Sequence, residues 1–123
     1  MGKKILIIDD EEDMRVYLET LFKKAGYETG TAVNGDEAND KINSFQPDLI
    51  TLDILMPRKS GLNFFQSVRS NSSTKDIPIV VLSGLSGHKE FFEDESQIGP
   101  TIFVEKPIEP DSFLENVRRM LGE

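Results

Sequence analysis

Four short stretches of the chain are apolar almost throughout: Ile5 to Ile8, Leu49 to Leu52, Ile79 to Leu82 and Ile102 to Val104. Runs of this length, rich in β-branched residues, predict strands buried on both faces, as in a parallel sheet. A fifth segment, Glu28 to Val33, is more polar and reads as an edge strand. Helical spacing fills the intervals. From Glu12 to Ala25, the residues Met14, Tyr17, Leu18, Leu21 and Phe22 fall on one stripe, and Gly26 follows as a stop. Asn34 precedes Gly35-Asp36-Glu37, a cap and an acidic first turn. Ser60 reads as the cap of a helix through Ser70, with Leu62, Phe65 and Val68 inward. Glu109-Pro110-Asp111 places proline at a helix start, and Phe113, Leu114, Val117 and Leu121 form that helix's apolar face. Gly84 to Gly99, with glycines at 84, 87 and 99 and an acidic cluster around Phe91-Phe92, predicts a short fifth helix, less protected from exchange than the others.

Five strands alternating with five helices predict an α/β doubly wound fold with right-handed crossovers and helices on both faces. The 123 residues suit one domain spanning 1–123, and no internal repeat or linker interrupts the pattern. No apolar stretch approaches the ~20 residues of a membrane span, and the apolar run of MGKKILII breaks at Asp9-Asp10, so it reads as a first strand, not a signal peptide.

Composition narrows the chemistry. The absence of cysteine excludes disulfides and thiolate chemistry and fits a cytoplasmic protein. The net charge of -8 argues against direct nucleic-acid binding, and a single histidine, His88, rules out a multi-histidine metal site and reads as a surface residue.

In doubly wound sheets the ligand crevice lies outside the carboxyl ends of the strands. The predicted strands end in Asp9-Asp10, Asp53, Ser83-Gly84 and Glu105-Lys106-Pro107. Carboxylates converging on one crevice repel one another and imply a cation. An all-oxygen donor set suits a hard divalent ion, most simply Mg²⁺. A lysine and a hydroxyl beside them can hold an anion's oxygens, which is the equipment of phosphoryl transfer with an aspartate as nucleophile.

The motifs Ile7-Ile8-Asp9-Asp10-Glu11, Leu52-Asp53-Ile54-Leu55-Met56-Pro57 with Gly61, Val81-Leu82-Ser83-Gly84 and Phe103-Val104-Glu105-Lys106-Pro107 occur in the order and spacing of one family. The chain resembles a response-regulator receiver domain from residue 4 to about 121. The resemblance implies a flavodoxin-like five-stranded parallel sheet of order 2-1-3-4-5. It implies that Asp53 accepts a phosphoryl group from a histidine kinase or histidine phosphotransfer protein. Asp10 and Asp53 would ligate Mg²⁺ directly, with the backbone carbonyl of Leu55, and Asp9 would act through metal-bound water. Lys106 would pair with the phosphoryl oxygens, Ser83 would hydrogen-bond the phosphoryl group, and Phe103 would be the switch aromatic. The peptide before Pro107 would be cis. The output partner is a protein or domain the sequence does not name, and the family's oligomeric range runs from monomer to weak homodimer.

Three features depart from the family or stand outside its motifs. Ile98-Gly99-Pro100 replaces the usual small residues before the fifth strand. Leu55 and Leu85, two residues past Asp53 and Ser83, would exclude water from the phosphate and slow its hydrolysis. Arg58-Lys59 reads as a solvated loop, with docking of an acidic partner as the alternative. Rival functions fit less well. A flavin carrier needs a phosphate-binding loop where this chain has Asp9-Asp10-Glu11-Glu12, and an aspartyl-nucleophile hydrolase would want a second acid where Leu55 stands. A pseudo-receiver that only binds partners would not need the intact acid, hydroxyl and lysine set.

Overall fold

A computed structural model of the chain describes residues 2–83 and 99–123. The elements are β1 (Lys4–Ile8), α1 (Glu12–Lys24), β2 (Glu28–Ala32), α2 (Gly35–Phe45), β3 (Leu49–Asp53), α3 (Ser60–Ser70), β4 (Ile79–Ser83), β5 (Thr101–Glu105) and α4 (Pro110–Met120). A single 3-10 turn, Pro57–Lys59, leads into α3. All five strands are parallel in the order β2-β1-β3-β4-β5. This is the expected flavodoxin-like order. Four helices fall among the described residues; the expected fifth, with His88 and Leu85, lies outside them.

The sheet separates two apolar layers. On one side Leu6, Ile8, Ile50, Leu52, Ile79 and Val81 pack against Ala38 and Ile42 of α2 and Phe64, Phe65 and Val68 of α3. On the other, Ile5, Ile7, Leu49, Val80 and Leu82 meet Leu18 and Phe22 of α1 and Phe113 and Val117 of α4. Strands β3 and β4 are buried at every position, as continuous apolar runs require when both faces carry helices. β5 differs from expectation. Residues Ile102 to Val104 are half-buried, because β5 is the second edge of the sheet and has a strand neighbour on one side only.

Helix ends follow local chemistry. Gly26 takes φ +95 after α1, where Gly26 N–H donates to Lys23 O and Tyr27 N–H to Phe22 O, closing the helix while Tyr27 packs edge-on against Phe22. Asn34 Oδ1 accepts from Glu37 N–H at 2.8 Å, the expected cap of α2. Glu109 caps α4 with its carboxylate, accepting from Asp111 N–H and Ser112 N–H at 3.3 and 2.7 Å.

Three sequence expectations are corrected. Ser60 does not cap its own helix; it is already helical, and its hydroxyl accepts from Gly35 N–H, tying α3 to the start of α2. Tyr17 is 41% exposed, because Leu18 and Phe22, with Met14 and Leu21 partly buried beside them, form the inward face of α1. Phe64, not part of the expected stripe, is almost fully buried, while Leu62 packs only partly against the core.

Candidate active site

The parallel register carries the strand ends to one edge. Ile8 aligns with Leu52, Asp53 with Leu82 and Ser83 with Glu105. Asp9, Asp53 and Ser83 are therefore buried at adjacent strand ends, while Asp10 on the next residue is exposed. Lys106 follows β5 and is held in place by its own N–H, which donates to Ser83 O at 2.8 Å. The Lys106-Pro107 peptide is cis, as expected.

The two buried aspartates are fixed in the same way. Asp9 Oδ1 accepts from Glu11 N–H at 2.9 Å, and Asp53 Oδ1 accepts from Leu55 N–H at 3.0 Å. A carboxylate bonded to the amide two residues on is a local turn that locks its rotamer. Each is left with Oδ2 turned toward Lys106 Nζ, at 3.5 Å from Asp9 and 3.8 Å from Asp53. Glu11 reaches the same ammonium at 3.9 Å. Arg15 donates to the backbone carbonyl of Asp9 at 2.8 Å and steadies the β1–α1 turn.

Asp9, Asp10, Glu11 and Asp53 each present a carboxylate oxygen, and these oxygens lie within 4.8 Å of one another. Asp9 Oδ2 is buried and accepts no hydrogen bond among the described residues. Burial holds the Asp53 carboxyl above its ordinary pKa; the Leu55 N–H and the Lys106 charge pull it down, and Asp9 and Asp10 push it up. An orphaned buried oxygen, crowded carboxylates and an acid whose charge is disfavoured all fit a hard divalent cation.

The site thus unites the expected Asp9, Asp10, Asp53, Ser83 and Lys106. Phe103 is half-buried on β5 and packs against the α2–α3 layer. Leu55 is 42% exposed beside Asp53, and the contact it makes with that residue is through its N–H. Sequence reasoning gave Glu11 no role, though it stood in the quoted motif, and it missed the Leu55 amide. Gly61 has a steric reason: a Cβ there would lie 2.6 Å from Asp53 O and 3.0 Å from Ile54 Cα, so α3 can close under the site only with glycine at this position.

The class in hand is a doubly wound parallel α/β protein with an acidic, lysine-bearing site at the carboxyl edge of its sheet. The family model of the response regulator receiver domain matches residues 5–118, and the chain belongs to this family of two-component signalling. It is 33% identical over 121 residues to the chemotaxis protein CheY of Thermotoga maritima, covering 98% of each. It is 35% identical over 119 residues to a probable transcriptional regulator ycf27 of Cyanophora paradoxa, of which it spans only 48%. Among solved structures, chemotaxis protein CheY4 of Vibrio cholerae superposes with a TM-score of 0.86 at 29% identity, over 98% of this chain and 99% of that one. No helix among the described residues is long and apolar enough to cross a membrane.

Proposed function

We propose that the chain is a phosphoacceptor switch: Asp53 takes a phosphoryl group, with Mg²⁺ present, from a phosphohistidine protein, and the change alters partner binding. The observation that carries this reading is the pair of locked aspartates whose Oδ2 atoms turn toward Lys106. Asp10 and Asp53, with the Leu55 carbonyl, would hold the cation, and Asp9 would act through its water. A hard divalent ion at this place supplies charge neutralisation for phosphoryl oxygens.

The chain's own residues do the rest. The Leu55 N–H fixes Asp53 Oδ1, which leaves Oδ2 as the attacking oxygen. Lys106, now paired with carboxylates, exchanges part of that pairing for the phosphoryl oxygens, whose greater charge draws it. Leu55 stands exposed at the mouth and screens the product from water. Aspartyl phosphate carries about -1.5 to -2 charge where the carboxylate carried -1, and it brings three strong acceptor oxygens. Ser83 is fully buried one strand away and hydrogen-bonds the group as it arrives, and Phe103 on β5 turns inward as the switch aromatic. The protein catalyses its own modification and does not turn over an external substrate.

Amide NMR spectra with Mg²⁺ and beryllofluoride, a phosphoryl mimic, test the switch. The reading expects large shifts at Leu55, Ser83, Phe103 and Lys106 that vanish in Asp53→Asn. Shifts confined to Asp53 and its neighbours, with Phe103 unmoved, contradict it.

A further inference from the structure

A cleft of about 540 Å³ adjoins the acidic site, between the start of α2 and the turn that follows β3. Its wall includes Asp10, Asn34, Asp36, Asn39, Arg58 and Asn63. Its volume is that of a small-molecule site. Asp10 belongs to both the cleft and the carboxylate cluster, so the cleft is a way into that cluster. Among the described residues, Arg58 is the single cationic one lining it.

Arg58 also holds an unfavourable backbone. Its φ of 59 and ψ of 26 lie in the left-handed region, where an L side chain is disfavoured. Gln46, the other non-glycine residue described with positive φ, closes the end of α2, where that conformation is ordinary. Arg58 lies inside the Pro57–Lys59 turn, where glycine or asparagine would meet the same geometry more easily. A strained arginine at the mouth of a site is a sign of use.

Charge supplies the use. A divalent ion and Lys106 together still leave the four carboxylates of the cluster one negative charge in excess. A dianionic donor meets that excess as a barrier. We propose that Arg58 is a specificity-determining residue for small anionic phosphodonors of the acyl phosphate class, whose oxygens it pairs as they enter through this cleft. The inference rests on Asp53 being the phosphoacceptor. In the step it assists, Asp53 Oδ2 forms a bond to phosphorus, the bond from phosphorus to the acyl oxygen breaks, and the carboxylate leaves with the electron pair. No proton is needed.

The test compares Arg58→Asn and Arg58→Lys with the unaltered protein. Bimolecular phosphorylation rates are measured with acetyl phosphate and with phosphoramidate, which carries less negative charge, across a salt series in Mg²⁺. Thermal melting is recorded beside them. Arg58→Asn is expected to melt no lower than the parent, since asparagine tolerates the backbone. Its rate with acetyl phosphate is expected to fall about tenfold at low salt, the lower end of electrostatic steering. The loss should be smaller with phosphoramidate, shrink as salt rises, and be largely absent in Arg58→Lys. An acetyl phosphate rate unchanged in Arg58→Asn overturns the assignment and leaves Arg58 as a strained turn residue. So does an equal loss with both donors at every salt concentration, which marks a structural effect. If the parent itself takes no phosphoryl group from either donor, the phosphoacceptor reading fails and this inference with it.

Discussion

Asp53 is 5% exposed at the end of β3, beside Asp9 and Asp10 and within reach of one ammonium. Its folded pKa is raised, chiefly by burial, so the folded state binds a proton more tightly there than the unfolded chain does. Stability from this group is therefore greatest at low pH and falls as pH rises from its ordinary 3.8 through the higher folded value. Asp53→Asn removes that loss. Metal-free Asp53→Asn is expected to melt above the parent at neutral pH, and the gap should close toward acid; melting curves at several pH values check both signs. Leu55 gives a second residue-scale outcome. Leu55→Asn, by admitting water beside Asp53, should shorten the phosphoryl lifetime, read by following its decay after donor removal. The identities at this scale were legible in the sequence because Asp9, Asp10, Asp53, Ser83 and Lys106 end apolar runs. Glu11 and the Leu55 amide were not, since their places depend on how two loops turn after the strands stop.

At the scale of elements, α3 is set by one close approach. Gly61→Ala would drive a methyl group into the backbone of Asp53 and Ile54, and overpacking of this kind costs about 1–3 kcal/mol. The denaturant midpoint should fall, and phosphorylation should slow because the strain falls on Asp53 itself. The cap of α2 is simpler. Asn34→Ala leaves Glu37 N–H without its partner and should cost about 1 kcal/mol, read as a shift in midpoint without a change in slope. Strands β1, β3 and β4 were readable as central because both of their faces are covered. The half-buried state of β5 was not, because a run such as Ile102-Phe103-Val104 looks the same whether one edge or two are paired. Phe64 escaped the helical stripe because α3 presents a broad face to the core, with Phe64 and Phe65 side by side. Ser60 chose the amide of Gly35 over its own helix, a tertiary contact that local sequence does not announce.

For the molecule as a whole, folding gathers four carboxylates at one edge of a chain whose net charge is already -8. A ligand that binds only the folded state stabilises it by mass action, about 2.7 kcal/mol at a concentration a hundredfold above its dissociation constant. Mg²⁺ should therefore raise the melting temperature. Asp10 is exposed, so Asp10→Asn should change metal-free stability little and yet cut the Mg²⁺-induced rise sharply; an undiminished rise would remove Asp10 from the ligand set. The sheet order was foreseeable at this scale only through the family resemblance, since alternating strands and helices fit more than one parallel order. The most direct test of the account is to incubate the protein with Mg²⁺ and acetyl phosphate and map the modification by mass spectrometry. The expected result is one alkali- and hydroxylamine-labile phosphoryl group on Asp53, absent without Mg²⁺ and absent in Asp53→Asn. A protein that stays unmodified, or a group that persists in Asp53→Asn, would contradict it.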